Sequence, residues 1–198
     1  MADGGPLVWL VRHGQTEWSA DGRHTGRTDI PLTKAGEDQA RALAGVVASL
    51  DLDLVLCSPR QRARCTADLA GLVPYEVTDD LQEWDYGAFE GRTTADIHRE
   101  LPEWSIWKGP WDGGETAADV GARADRLITR VRESGASRVV LVGHGHFSRV
   151  TGARWVGAPV HAGQWLEFDT ASWSRLGWDR GLPVLSHWNV PVERQPAG

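Results

Sequence analysis

The stretch LVWLVRHG, which spans Leu7–Gly14, decides the class of fold. Its first five residues are all apolar, a pattern typical of a strand that is buried on both faces of a parallel sheet. Arg12 and His13 follow this run at once. Because open α/β sheets bind ligands at the carboxyl ends of their strands, the stretch predicts a central strand with a binding site at its end.

Two further apolar runs, Leu54–Cys57 and Arg138–Val142, predict strands of the same kind. A helix is expected after each of them, the first ending near Ala70 and the second beginning after His144. Val73–Val77 predicts a short strand. Residues 164–188 alternate apolar and polar side chains and predict two or three strands.

Helices are predicted where apolar residues recur at helical spacing. One helix starts after Thr33, a residue suited to cap its N-terminus, and carries Ala40, Leu43, Ala44, Val47 and Leu50. A second carries Ala117, Val120, Ala124, Leu127, Ile128 and Val131. Between Glu90 and Glu115 the chain holds three tryptophans among Gly and Pro, which indicates an irregular helical excursion: Trp104, Trp107 and Trp111. Core packing and lining of a pocket remain open for these three.

The alternation of strands and helices predicts an α/β fold: a single-domain, three-layer α/β/α arrangement with a mostly parallel central sheet. No repeat or linker divides the 198 residues, so we expect one domain over residues 1–198.

The composition excludes several classes of partner. The net charge of −6 argues against a nucleic-acid binder, and no apolar run reaches the length needed to span a membrane. The two cysteines, Cys57 and Cys65, suggest free thiols of a reducing compartment. The apolar run near the start lacks a basic leader, so we expect a cytoplasmic protein. The oligomeric state stays open, with a homodimer as one arrangement.

Two histidines, His13 and His144, stand at equivalent strand ends with arginines nearby. A single histidine at such a place is more often a hydrogen-bonded structural residue. For two histidines at equivalent strand ends, a functional role is about as good an interpretation as a structural one. His144 and His146 form an H-x-H pair. No carboxylate or cysteine stands at ligand spacing beside them, so no metal and no cofactor are expected.

Five segments, in this order and spacing, resemble the histidine phosphatase superfamily, the phosphoglycerate-mutase-like proteins. They are R-H-G-Q-T-E-W-S (Arg12–Ser19), H-T-G-R-T-D-I-P-L-T (His24–Thr33), S-P-R-Q-R-A-R-C-T-A (Ser58–Ala67), L-Q-E-W-D-Y-G-A-F-E-G (Leu81–Gly91) and G-H-G-H-F-S-R (Gly143–Arg149). The resemblance spans nearly the whole chain and implies a phosphoglycerate-mutase-like fold.

The resemblance also implies a role for each matching residue. His13 matches the nucleophile that becomes phosphohistidine, and Glu83 matches the acid that protonates the leaving group. Arg12, Arg62 and His144 match the residues that form the phosphate pocket in this family. Residues of the same motifs are candidates for substrate binding: Ser19, Thr25, Gly26, Tyr86 and Gly145.

These roles set physical requirements. His13 must be neutral to attack, and its second ring nitrogen needs an acceptor, for which a backbone carbonyl of the Gly14 loop is expected. Arg12, Arg62 and a protonated His144 would donate to the phosphoryl oxygens. Glu83 must carry a proton, so we expect burial or the phosphate charge to raise its pKa.

The residues within these motifs favour the phosphatase branch. They resemble those of sedoheptulose-bisphosphatase relatives and actinobacterial acid phosphatases. We therefore expect a metal-independent phosphomonoesterase whose partner is a small phosphomonoester, with a sugar phosphate as first choice. The alternative is a cofactor-dependent phosphoglycerate mutase. Mutases resemble this chain but usually have Asn where Ser19 stands, and an arginine pair in the interval that here holds Arg92, Arg99 and Lys108. An inactive relative is not expected, because the matching catalytic residues are all present.

Overall fold

Strands and helices alternate along residues 4–192, the part of the chain that the computed structural model describes. The strands of this part are β1 (Leu7–Arg12), β2 (Leu54–Cys57), β3 (Glu76–Val77), β4 (Arg138–Gly143), β5 (Trp173–Asp179) and β6 (Leu182–Val190). The helices are α1 (Glu17–Ala20), α2 (Lys34–Ala42), α3 (Ala44–Val47), α4 (Gln61–Leu69), α5 (Thr94–His98), α6 (Ala117–Glu133) and α7 (Gly145–Trp155). Short 3-10 turns occur at Asp79–Leu81, Gly87–Phe89 and Val160–Trp165.

The strands form one sheet in the order β3-β2-β4-β1-β5-β6. The pairings of β1 with β4, β4 with β2 and β2 with β3 are parallel, whereas β5 and β6 are added antiparallel. In the register, Arg12 pairs with Gly143 and Cys57 with Val142. The three central parallel strands therefore end at the same level, and the residues that follow them leave the sheet side by side.

The first five residues of β1 are all apolar because helices cover both faces of the sheet. Val8 and Leu10 pack in one buried cluster with residues of α6 and α7, whereas Trp9 and Val11 pack in another with residues of α3 and α4 and with Leu43, which follows α2. Successive side chains of a strand point to opposite faces, so the apolar residues of β1 contribute to both clusters. The predicted three-layer α/β/α fold with a mostly parallel sheet is confirmed. Among residues 4–192, the helices all fall short of the length and apolarity needed to cross a membrane.

The predicted elements are confirmed with three adjustments. The hydroxyl of Thr33 accepts from the Gly36 amide at 3.0 Å and caps α2, but the helix is interrupted at Leu43 before α3 continues it. The strand expected over Val73–Val77 shrinks to the two residues of β3. Pro74 has no amide hydrogen to donate to a ladder, which limits pairing there. The alternating region 164–188 provides two strands, and its first nine residues do not belong to either of them.

The three tryptophans of the excursion pack into the core. Trp104 is buried, and Trp107 and Trp111 are partly buried against the cluster that α6 and α7 share. The indole N–H of Trp104 donates to the Pro110 carbonyl at 3.0 Å, and that of Trp111 to the Ile106 carbonyl at 2.7 Å. These contacts hold an otherwise irregular segment against the domain.

Two glycines let the loop after β1 pass against the start of α2. A Cβ on Gly36 would lie 2.0 Å from the Gln15 carbonyl oxygen, and one on Gly14 would lie 2.3 Å from the Gly36 oxygen. The Gly14 amide also donates to the Thr66 hydroxyl of α4 at 3.0 Å. The loop is thus held between two helices, and its position depends on the absence of side chains.

We expect Gly36→Ala to lower the free energy of unfolding by about 1–3 kcal/mol, the usual cost of overpacking, because the methyl group would displace backbone atoms. Gly45→Ala is the matched control, since a Cβ on Gly45 of α3 meets nothing within 4 Å. That change should stabilise the protein by up to about 1 kcal/mol through helix propensity. Urea unfolding measures both. Equal effects of the two substitutions would contradict the close approach.

Candidate active site

A cavity of about 280 Å³ opens at the carboxyl ends of β1 and β4. Arg12 and His13 line it from the end of β1, and Gly145 and His146 from the start of α7. A larger depression of about 1090 Å³ lies at the opposite end of the strands, but the described residues that line it include no histidine. The candidate chemistry therefore lies in the smaller cavity.

His13 is held as a neutral imidazole. Its Nδ1 lies 2.7 Å from the carbonyl oxygen of Gly14, and a carbonyl can only accept, so Nδ1 carries the hydrogen. Nε2 is left with its lone pair. Burial lowers the pKa of His13 well below 6.5, and the charges of Arg62 and Arg12 lower it further. The predicted carbonyl partner is confirmed.

His144 is also neutral, and the expected protonated form is wrong for this structure. The Nε of Arg62 donates to His144 Nδ1 at 3.2 Å, so this nitrogen has no hydrogen, and Nε2 donates to the Ser58 hydroxyl at 2.7 Å. Burial, followed by the charge of Arg62, lowers the pKa of His144 well below 6.5. His144 is therefore a fixed neutral group whose ring centroid lies 5.2 Å from that of His13.

Arg62 lies behind the cavity wall. Its side chain is fully buried and donates Nη1 to the Thr28 carbonyl at 2.9 Å and Nη2 to the carbonyls of Thr25 and Gly26 at 3.1 and 3.0 Å. The residues that line the cavity include neither Arg62 nor His144. In this structure Arg62 fixes the 25–28 loop and places a buried positive charge close to His13.

Arg12 faces the cavity with an unused donor. Its Nη1 donates to the Phe168 carbonyl, whereas its buried Nε has no hydrogen-bond partner among residues 4–192. The guanidinium packs on Gly145, where a Cβ would lie 3.1 Å from Cζ. Burial lowers the pKa of Arg12 from its ordinary value. An anion beside His13 would supply the acceptor that this cation lacks.

Glu83 caps the N-terminus of α7. Its Oε1 accepts from the amides of Trp84 at 2.9 Å and Phe147 at 2.8 Å, and its Oε2 accepts from the amide of His146 at 3.0 Å. Oε1 thus has two donors, while Oε2 has one and keeps room for a proton. The side chain is 8% exposed and borders the cavity.

The other two carboxylates of the same motif serve the scaffold. Glu90 accepts from the Gly26 amide at 2.9 Å and the Thr28 amide at 3.0 Å, which fixes the loop that Arg62 also holds. Asp85 forms an ion pair of 2.9 Å with Arg27. Neither is among the residues that line the cavity, which leaves Glu83 as its carboxylate.

Four of the five predicted substrate-binding residues line the cavity: Ser19, Thr25, Tyr86 and Gly145. The fifth, Gly26, does not, because its amide is held by Glu90 and its carbonyl by Arg62. A Cβ on Gly26 would lie 2.5 Å from the Trp84 carbonyl oxygen, so this glycine permits close packing.

The lining also includes residues that the sequence did not identify as part of the site, among them His24, His146 and Arg149. The Tyr86 hydroxyl lies 2.7 Å from His146 Nδ1, and the His24 ring centroid lies 4.8 Å from that of Tyr86. Burial lowers the pKa of His24 to about 4 and that of His146 well below 6.5. The i, i+3 spacing of His146 and Arg149 on one helix face could have indicated their common direction.

The H-x-H pair does not form a joint site. His144 is hydrogen-bonded to Ser58 and Arg62, while His146 is hydrogen-bonded to Tyr86. Over residues 4–192, no group of three or more His, Cys, Asp or Glu side chains is placed to hold a metal ion.

Comparisons with known proteins agree with the motifs. The sequence model of the histidine phosphatase superfamily (branch 1) matches residues 8–191. An acid phosphatase of Mycobacterium tuberculosis is 43% identical over 190 residues, which cover 94% of this chain and 94% of the relative. A sedoheptulose 1,7-bisphosphatase of Saccharomyces cerevisiae is 36% identical over 188 residues, covering 78% of this chain and 69% of the relative.

A solved structure supports the same relationship. The product of an open reading frame of Mycobacterium tuberculosis superposes with a TM-score of 0.91 at 40% sequence identity, covering 95% of this chain and 99% of the other. The fold and the sequence therefore point to one family.

The buried neutral histidines predict a stability that falls in mild acid. Above pH 6.5 His24 is neutral in both states, but below it the unfolded chain binds a proton that the folded protein, with a pKa of about 4, does not. The free energy of unfolding should therefore fall from pH 6.5 towards 4, by up to about 1.4 kcal/mol per pH unit for this one group. His13, His144 and His146 act in the same direction.

Urea unfolding at each pH measures this effect. His24→Gln should flatten the dependence, because glutamine does not titrate, whereas His161→Gln at an exposed position away from the cavity should leave it unchanged. The same pH dependence in His24→Gln as in the native protein would contradict the assignment.

Proposed function

The chain belongs to branch 1 of the histidine phosphatase superfamily, and we propose that it is a metal-independent phosphomonoesterase that works through a phosphohistidine at His13. One observation carries the proposal: the Gly14 carbonyl holds the hydrogen of Nδ1, which leaves the neutral Nε2 of a cavity-lining histidine as nucleophile. We also propose that residues 1–198 constitute one histidine phosphatase domain.

The first step is attack of His13 Nε2 on phosphorus, with formation of a P–N bond. Phosphoryl transfer needs positioning and charge stabilisation at the equatorial oxygens. Arg12 supplies donors from the cavity wall, and the N-terminal end of α7, which starts at Gly145, favours an anion. These groups take the role that a divalent cation has in kinases.

Arg62 and His144 act from behind His13. The fully buried guanidinium of Arg62 attracts the incoming dianion through a medium of low dielectric constant and fixes the 25–28 loop. Neutral His144, tied to Arg62 and Ser58, keeps this guanidinium in place. The electrostatic contribution of Arg62 therefore requires no direct contact with the phosphoryl group.

Glu83 is the proton donor to the leaving oxygen. As the P–O bond to the alcohol breaks, the proton on Oε2 moves to the leaving oxygen, which would otherwise depart as an alkoxide. The resulting carboxylate then takes a proton from the water that attacks phosphorus. The P–N bond breaks, inorganic phosphate leaves, and Glu83 is protonated again.

The substrate is a small phosphomonoester, and a sugar phosphate is the first choice. A cavity of about 280 Å³ suits a small molecule, and the similar proteins from M. tuberculosis and S. cerevisiae are named as an acid phosphatase and a sugar bisphosphatase. Stacking on the tryptophans of the excursion gives no support, because Trp104, Trp107 and Trp111 belong to the core.

The arrangement favours hydrolysis over the mutase alternative. A mutase must bind the carboxylate of its substrate and keep water away from the phosphohistidine. In the excursion Arg92 pairs with Glu100 at 2.7 Å and Arg99 with Asp96 at 2.9 Å, so these arginines are engaged on the surface. Incubation with 3-phosphoglycerate and catalytic 2,3-bisphosphoglycerate distinguishes the two activities: isomerisation faster than phosphate release would favour the mutase.

Glu83→Gln provides the sharpest test of the mechanism. It should slow hydrolysis of β-glycerophosphate by about 10²–10⁴-fold, the usual range for acid–base catalysis. It should slow p-nitrophenyl phosphate much less, because that leaving group hardly needs a proton. Phosphate release measured with both substrates, in the presence of EDTA, gives the two ratios.

Asp85→Asn is the control, a carboxylate of the same motif that lies outside the cavity. It should change the two rates by a similar factor. Equal losses on both substrates in Glu83→Gln would remove Glu83 from the acid role, and loss of native activity in EDTA would overturn metal independence.

A further inference from the structure

Arg149 lines the cavity without a counter-charge. It is partly buried, and among residues 4–192 no carboxylate lies within ion-pair distance of it. Its Nε donates to the Gly163 carbonyl at 2.9 Å and its Nη2 to the Gln164 carbonyl at 3.0 Å. Carbonyl oxygens orient a guanidinium but do not neutralise it, and the carboxylates of Glu83 and Glu167 act on it only from beyond ion-pair distance. The cavity therefore holds a positive charge that has no ion-pair partner among the described residues.

The side chain is fixed in place. The guanidinium carbon lies 4.8 Å above the ring centroid of Trp107, whose own ring packs against Trp84. Two donors are used by carbonyls and one face by the indole, while Nη1 has no acceptor among the described residues. A planar cation held in this way is preorganised to bind an oxyanion with its remaining donors.

Arg149 is placed beyond the phosphoryl site, not in it. It follows Gly145 by four residues on α7, so the two lie on one helix face about 6 Å apart. Gly145 packs against Arg12, the cation beside His13. A ligand whose phosphoryl group lies at Arg12 and His13 therefore presents its far end to Arg149.

Apart from Arg12, which lies at the phosphoryl site, the other charged groups of the cavity are already engaged. Arg23 pairs with Asp21 at 3.5 Å and is exposed. Glu83 accepts hydrogen bonds from three amides. Arg149 is thus the lining cation best placed for a second negative group, and burial lowers the pKa of its guanidinium, a cost that an anionic ligand would offset.

We propose that Arg149 binds a second anionic group of the substrate, a carboxylate or a further phosphate, at the end of the molecule remote from the transferred phosphoryl group. The inference rests on the proposed phosphatase function and narrows its substrate class to small phosphomonoesters that carry two negative groups. Both kinds of group present the oxygen pair that a guanidinium recognises.

Matched substrate pairs test the proposal. 3-Phosphoglycerate differs from glycerol 3-phosphate by a carboxylate, and fructose 1,6-bisphosphate differs from fructose 1-phosphate by a phosphate. Initial rates of phosphate release with the native protein should give a higher kcat/KM, in at least one pair, for the member that carries the second anionic group. The pair that discriminates identifies the second group.

Arg149→Met keeps an apolar side chain over Trp107 and removes the charge. It should reduce the preference for the substrate with the second anionic group by about 10–100-fold, mainly through KM, as expected for loss of a charge-assisted contact. Arg149→Lys should retain part of the preference. The control is Arg132→Met, because Arg132 also stacks on a tryptophan, Trp155, and donates to a carbonyl, but lies outside the cavity.

The outcomes separate this proposal from the proposed function. Equal kcat/KM values for both members of both pairs, or an unchanged preference in Arg149→Met, would overturn the second-anion site while leaving the phosphatase intact. If no substrate released phosphate, the proposed function would fail, and calorimetric binding of the same pairs to the native protein would still decide the role of Arg149. If Arg149→Met weakens the binding only of the member with the second anionic group, the role of Arg149 is supported.

Discussion

The hydrogen bond between His13 Nδ1 and the Gly14 carbonyl is the constraint on which the rest of the site depends. At 2.7 Å it assigns the ring hydrogen to Nδ1 and frees Nε2. The carbonyl can be there only because the loop after β1 passes against α2 at two glycines, Gly14 and Gly36. A packing condition in the scaffold thereby sets the protonation pattern of the nucleophile.

The positively charged side chains around His13 lie at different distances from the cavity. Arg12 and Arg149 face the cavity, whereas Arg62 lies behind it and is bound to backbone carbonyls and to His144. Burial of His13, followed by the charges of Arg62 and Arg12, lowers its pKa and keeps it neutral. Among the described residues that line the cavity the one carboxylate is Glu83, which accepts from amides of α7. The same arrangement therefore activates the nucleophile and attracts an anionic substrate.

Much of the fold could be predicted because β1 begins with five consecutive apolar residues and because the motifs that flank it are local in sequence. The sequence also indicated that residues after β1 and β4 would meet, since parallel strands end at one edge. The neutral state of His144 could not be predicted, because it depends on how Arg62 is oriented by carbonyls of the 25–28 loop. The same loop explains Gly26, whose motif position suggested ligand binding but whose contacts are internal. Arg149 was missed because its significance lies in the absence of a partner, which no motif records.

The central claim is that His13 Nε2 accepts the phosphoryl group, and trapping the phosphoenzyme tests it most directly. The native protein, mixed with a ³²P-labelled phosphomonoester and quenched in base during turnover, should carry acid-labile, base-stable label. Peptide mapping should locate it on His13, and NMR of the denatured phosphoprotein should identify the Nε2-phosphorylated isomer, because Nδ1 is occupied by Gly14. Label on a serine or an aspartate, on Nδ1 of His13, or retained in His13→Ala would contradict the account.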